Sequence, residues 1–373
     1  MSTQTKNLVL PKTELGDTGF SLSRLGLGGF HQVEISTEIV EKVVDAFLDV
    51  GGNYIETARG YGNGASEKKL GRVLEGRRNK VVLCSKSAAE TADEIRRDIE
   101  ATLTNLKTEH IEFYYFHGMP SIEKLDKICA PGGALEGMTK AKEEGLISGI
   151  GLSSHRLPMY IEGMKRLPIS LILIWSNYLE DMYLPEITNE IFPYARRKRV
   201  GITAMKPLAD GFLYRSPRQA IRYALGSGSD VLVCGMNSVE HVYQAAEAVC
   251  EGAASEDERK GILKHAPELG AYVCRQCGDC SDSLMELFRL EGYVDRQMID
   301  YLEHNPADYA LRVRLAGWFS LEEKAREMFN SKHWDEGVLL DEATRVKCPY
   351  EIQVQRKARV ALAKLKDKDP NLV

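Results

Sequence analysis

The chain lacks a surplus of either charge: 49 Lys and Arg stand against 54 Asp and Glu, a net of -5, spread along 373 residues. No basic footprint for nucleic acid is therefore present. No stretch approaches the ~18 apolar residues needed to span a bilayer, and Met1–Leu10 lack the apolar core of a signal peptide. The expectations are no membrane partner, no nucleic-acid partner and a cytoplasmic location. Disorder is excluded, because 43% of residues are apolar and 28% charged. Nor does a strand-like run lead into GxGxxG; the nearest candidate, LGLGGF at Leu25–Phe30, lacks the third glycine. A paired-cysteine framework is also missing. Eight cysteines in a long chain without a secretion signal read as thiols or metal ligands. Cys84, Cys129, Cys234 and Cys250 are scattered in apolar segments and should pack as small hydrophobes, whereas Cys274, Cys277 and Cys280 form a tight cluster.

What the chain does have is alternation. Short apolar, β-branched runs recur at 24–29, 54–57, 81–86, 111–117, 149–154, 171–177, 201–207 and 231–236. Most are continuously apolar, the pattern of strands buried on both faces. Between them lie segments with helical spacing and recognisable starts. Ser36 precedes one helix, Thr91 opens another with Glu94 completing a capping box, and Pro217 follows Ser216 at a first helical position. Strand and helix alternating in this way predict a (β/α)8 TIM barrel, with a doubly wound sheet as the rival that periodicity alone leaves open. TELGDTGFSLSRLG, turning at Asp17-Thr18-Gly19, predicts a hairpin suited to closing the barrel bottom. Past Cys250 the polar stretch EGAASEDERKG reads as a linker. The predicted division is a barrel over 1–254 and a small, mostly α-helical four-cysteine domain over 255–373.

In a barrel, functional groups stand at the C-terminal ends of strands and in the loops that follow. Those positions hold Glu56, Lys86 and His117, with Tyr61 in the loop RGYGNGASE. A tyrosine hydroxyl near pKa 10 is a poor acid at neutral pH. A buried lysine beside it favours the phenolate, and a carboxylate keeps that lysine charged. A histidine can donate a hydrogen bond to a carbonyl oxygen while tyrosine hands over a proton. Taken singly, Tyr61 and His117 read as packed core residues; lysine, seldom buried without a partner, reads that way least.

Over about Leu15–Val249 the sequence resembles the aldo-keto reductase family. NYIETARGYGNGASEKKLG is similar to its strand-loop-helix signature, VVLCSK to the strand ending in the catalytic lysine, and IEFYYFHGM to the strand ending in the histidine. GITAMKPLADG and VLVCGMNSVEHVYQAAEA resemble its seventh and eighth strands. The resemblance implies roles for Tyr61 as proton donor, Lys86 as its pKa tuner, His117 as substrate positioner and Glu56 as the lysine's partner. The family has aspartate where this chain has Glu56. The same resemblance implies that NADP(H) or NAD(H) is the cofactor. Asn177 would hold the nicotinamide carboxamide, and Met236, Asn237, Ser238, Glu240 and Gln244 the pyrophosphate and adenosine end. Ala245 stands where the family often has an adenine-binding asparagine.

Cys274-x2-Cys277-x2-Cys280 puts three thiolates on one short loop, suited to three corners of a cubane, with Cys348-Pro349 about 70 residues on at the head of EIQVQRKARVALAKLK. Together they form one ligand set for a [4Fe-4S] cluster; four thiolates also suit zinc. VCRQCGDC and KCPYEIQVQ resemble the two halves of the ferredoxin-like domain of some bacterial aldo-keto reductases. The leading expectation is an NAD(P)H-dependent carbonyl oxidoreductase acting on a small carbonyl or alcohol. The alternatives are an electron-transfer subunit with a redox protein partner, and a non-redox lyase or isomerase using the same barrel site.

Overall fold

The computed structural model describes residues 8–178, 184–211, 213, 216–265, 274, 278–295 and 322–368. Two compact units divide between Arg259 and Lys260. In the first, the predicted hairpin forms β1 (Lys12–Glu14) and β2 (Ser21–Ser23), paired antiparallel. Its turn is closed by Leu15 N–H to Phe20 O and Thr18 N–H to Leu15 O, each at 3.1 Å.

The eight apolar runs become β3 (Leu25–Gly28), β4 (Tyr54–Glu56), β5 (Val82–Ser87), β6 (Ile111–Phe116), β7 (Ile147–Ser153), β8 (Leu171–Trp175), β9 (Gly201–Met205) and β10 (Val231–Gly235). All eight pair in parallel, and β10 returns to β3 to close the barrel. That closure removes the doubly wound rival. Inward-facing side chains from alternate positions, among them Tyr54, Cys84, Phe113, Tyr115, Leu171, Leu173, Val231 and Val233, pack as one cluster with Leu15 and Leu22. The hairpin thus plugs the end where the strands begin, and Asp17 N–H bonds Arg199 O at 3.0 Å just ahead of β9.

Helices follow the strands around the outside: α1 (Thr37–Asp49), α2 (Ala65–Val73), α3 (Ala92–Leu106), α4 (Ile122–Cys129), α5 (Ala134–Glu143), α6 (Pro158–Arg166), α7 (Phe192–Arg197), α8 (Pro217–Leu225) and α9 (Val239–Cys250). Ser36 caps α1 by accepting from Ile39 N–H, and Thr91 with Glu94 forms the full capping box on α3. Pro217 opens α8, although Ser216 makes no side-chain cap. Of the cysteines expected to pack, Cys84 and Cys234 are buried and Cys129 partly so, but Cys250 is exposed. The helix explains this: α9 buries Val242, Ala245, Ala246, Ala248 and Val249, and the next residue turns outward.

Beyond α10 (Glu256–His265), the second unit has four described helices: α11 (Asp282–Asp295), α12 (Glu322–Ser331), α13 (Glu336–Arg345) and α14 (Val354–Leu365). Leu284, Leu287, Phe288, Phe329, Leu339, Ala358 and Leu362 pack in one apolar core among its described residues. The helix expected from Glu351 begins only at Val354, because Glu351 sits at φ +60° in the left-handed region that ends helical continuity. Among the described residues no helix is long and apolar enough to cross a membrane.

Candidate active site

Side chains alternate along a strand, so residues of one parity share a face. Tyr54, Cys84, Tyr115 and Leu173 point into the barrel core. Two residues further toward the C-terminal rim on the same parity stand Glu56, Lys86, His117 and Trp175. The barrel therefore gathers the predicted residues of three successive strands into one ring.

Lys86 lies at its centre. The side chain is 1% exposed, and Nζ stands 2.5 Å from Glu56 Oε2. The ammonium also donates to Thr57 O at 2.7 Å and to the Tyr61 hydroxyl at 3.1 Å. Glu56 therefore bridges to the lysine with its longer side chain. His117 packs edge-on against the Tyr61 ring with centroids 5.8 Å apart, and Phe30 holds the same ring at 5.2 Å. Tyr61 reaches this position through a tight loop, in which its N–H bonds Ala58 O at 3.0 Å. Gly64, at φ +84°, turns the chain into α2 through a region that residues with a Cβ seldom enter.

Burial sets the electrostatics. It pulls the Lys86 ammonium down, but the charge and hydrogen bonds of Glu56 and Tyr61 outweigh it and the lysine titrates above its usual value. Burial pushes the Glu56 carboxyl up, and Lys86 draws it back only in part. His117 is driven down to about 3, first by burial and then by the charges of Lys86, His155 and Lys124. Its ring is neutral at physiological pH and can donate one N–H to a substrate oxygen. The arrangement is a phenol beside a fixed cation, with a neutral imidazole alongside.

The expected cofactor residues occupy the same rim at β8 and β10. Asn177, just past β8, is buried and donates from Nδ2 to Lys206 O at 3.1 Å. Met236 is buried and its carbonyl accepts from Gln32 Nε2 at 2.7 Å. Ser238 caps α9, its hydroxyl accepting from His241 N–H at 3.2 Å. Glu240 and Gln244 are exposed on α9 and bond each other at 3.2 Å. Asn237 Oδ1, Trp175 Nε1 and Ser176 Oγ are buried without a protein partner. Buried polar atoms of this kind each cost about 1–3 kcal/mol until something bonds them. All three lie at or just past the C-terminal ends of two barrel strands, β8 and β10.

Trp175 joins this rim as well, a residue not among the expected site residues. It shares inward parity with Leu171 and Leu173, and this was the available signal. His155 stands edge-on to its ring at 5.2 Å, and Lys206 Nζ lies 5.7 Å from its centroid. Trp175 therefore forms part of the wall opposite Tyr61.

In the second unit, Cys274, Cys280 and Cys348 line one cavity with Met285, Phe288, Val346, Ile352 and Val354. Cys348 Sγ accepts from Tyr350 N–H at 3.4 Å. Cys277 lies outside the described residues. Among the described residues no three His, Cys, Asp or Glu side chains converge tightly enough to hold a single metal ion.

A family model described as the aldo/keto reductase family matches residues 24–260. An uncharacterized oxidoreductase of Bacillus subtilis, YqkF, is 26% identical over 220 residues, covering 55% of this chain and 67% of that protein. The chain spans about two thirds of the length of the curated relatives it matches. Among solved structures, the holo form of an aldo-keto reductase from Bacillus halodurans superposes with a TM-score of 0.61 at 24% identity, over 68% of this chain and 96% of that one. An aldo-keto reductase from Klebsiella pneumoniae in complex with NADPH gives 0.59 at 21% identity, over 70% and 96%. At these identities the superpositions speak for the fold.

Proposed function

The chain belongs to the aldo/keto reductase family, and from that premise we propose that it is an NADPH-dependent carbonyl reductase whose second unit carries one [4Fe-4S] cluster. One observation carries the first half: Lys86 Nζ sits between Glu56 Oε2 at 2.5 Å and the Tyr61 hydroxyl at 3.1 Å inside the barrel rim. A relative of the same fold binds NADPH, which supports that choice of nucleotide.

Tyr61 donates its hydroxyl proton to the carbonyl oxygen. Lys86, held charged by Glu56, stabilises the phenolate left behind. Neutral His117 donates to the same oxygen and fixes its orientation. Trp175 walls off water on the far side. Asn177, with the unpartnered Trp175 Nε1, Ser176 Oγ and Asn237 Oδ1, would hold the nicotinamide nucleotide. When bound, it supplies hydride to the carbonyl carbon.

For the second unit, what supports a cluster is that three of the four spaced thiols, Cys274, Cys280 and Cys348, line a common apolar cavity. A backbone N–H bonded to a cysteine sulfur, as at Cys348, is a feature that tunes cluster potentials. Fluorescence titration of anaerobically purified protein with NADPH, with iron and sulfide assayed on the same sample, tests both halves. Saturable NADPH binding and about four irons per chain are expected. Absence of binding removes the reductase, and one zinc in place of iron removes the cluster.

A further inference from the structure

Behind Lys86, on the outer face of β5, lies a second buried charge that the mechanism does not use. Glu67, in the first turn of α2, is fully buried. Its Oε1 accepts from Ser85 Oγ at 2.7 Å and Thr102 Oγ1 at 2.8 Å. Its Oε2 accepts from Arg59 Nη1 at 2.8 Å and Asn105 Nδ2 at 2.9 Å. Those donors belong to the tyrosine loop, β5 and α3. Arg59 also reaches Asp98 Oδ1 at 3.6 Å, and its backbone N–H bonds Lys86 O at 3.0 Å. Asp98 in turn accepts from Ser87.

The topology of this network matters more than its strength. Ser85 and Ser87 flank Lys86 and face outward where the lysine faces inward. Arg59 precedes Tyr61 by two residues, and Glu67 follows it by six. The carboxylate therefore ties both ends of the tyrosine loop to the strand that carries the lysine. Ser66 ties the same end of the loop to the end of β3 instead, its hydroxyl donating to Gly29 O at 2.7 Å. The 3.1 Å contact between Lys86 Nζ and the Tyr61 hydroxyl spans the two elements so joined.

We propose that Glu67, acting through Arg59, is a positioning residue that sets the separation of Tyr61 and Lys86. This deepens the reading of Tyr61 as proton donor and rests on it. Glu67→Gln is a mild probe. Its oxygen can still face Arg59 and Asn105, while the hydroxyls of Ser85 and Thr102 rotate to accept from its amide. What is lost is the charge that draws Arg59 in.

The test is a phenolate-absorbance titration of each protein, differenced against the same protein carrying Tyr61→Phe so that Tyr61 alone is read. In Glu67→Gln the Tyr61 midpoint should rise by about one pH unit, and kcat for carbonyl reduction at neutral pH should fall by roughly tenfold. KM for NADPH should stay within about twofold. Should that variant not fold, Arg59→Lys, which keeps the charge and loses the planar fork, should move the midpoint the same way by less. An unmoved midpoint in a folded variant overturns the proposal and leaves Glu67 a stabilising residue only. A moved midpoint in a protein that reduces no carbonyl would keep the positioning role and remove the reductase reading.

Discussion

Lys86 keeps its charge inside a barrel because Glu56 lies against it; removing either partner would strand a buried ion at about 3–5 kcal/mol. His117 shows the opposite solution, a group held neutral by its surroundings. Its pKa falls from 6.5 to about 3, so below 6.5 the unfolded chain binds a proton that the folded one refuses. Stability is then intact above the unfolded pKa and declines as pH falls from 6.5 toward 3. At about pH 5 the wild type should lose roughly 2 kcal/mol relative to neutral pH through this residue. Urea melts of wild type and His117→Gln at both pH values check it: the gap between them should narrow in acid, and a constant gap contradicts the assigned burial. Glu56, Lys86 and His117 were legible in the sequence because each stands at or next to the end of a strand run, where side-chain parity and barrel geometry fix the direction. Trp175 follows the same rule of parity, two residues before Asn177. Glu67 stands in the signature segment, but its role was not legible, since its partners Ser85, Thr102 and Asn105 lie 18, 35 and 38 residues away and only the folded barrel brings them together.

Helices α2 and α3 set how close the tyrosine loop comes to β5. Gly71 of α2 lies against the end of α3, where an added Cβ would stand 2.2 Å from Asn105 O. Backbone cannot retreat as a flexible side chain can. Gly71→Ala should therefore destabilise the barrel by about 1–3 kcal/mol, although alanine in an open helix gains about 1 kcal/mol over glycine. A urea midpoint equal to or above wild type would show that the two helices are not in such close contact. Element positions were the most legible layer of the fold. Buried parallel strands announce themselves as unbroken apolar runs, and Thr91 with Glu94 marked the start of α3. The delayed start of α14 was hidden because the left-handed turn at Glu351 carries no glycine or asparagine to signal it. The outward turn of Cys250 was hidden because one cysteine at a helix end gives no periodicity.

At the scale of the molecule, the two units are proposed to carry two kinds of chemistry. Nicotinamides exchange hydride, two electrons together, whereas a [4Fe-4S] cluster carries one. The proposed cluster is therefore either structural or the donor to a separate partner, and the barrel's reaction does not depend on its potential. The composition shift past Cys250 pointed to a second unit, but how its thiols meet was beyond periodicity, because α11 to α14 must pack before Cys348 reaches Cys274 and Cys280. In the proposed barrel reaction, Tyr61, backed by Lys86, protonates a carbonyl that NADPH reduces. Single-turnover oxidation of bound NADPH against a panel of small aldehydes and ketones, followed in wild type and Tyr61→Phe, tests it most directly. One alcohol should form per NADPH consumed in the wild type, and the rate should be lower by about 10²–10⁴-fold in the variant with NADPH affinity retained. Equal rates in the two proteins would contradict it.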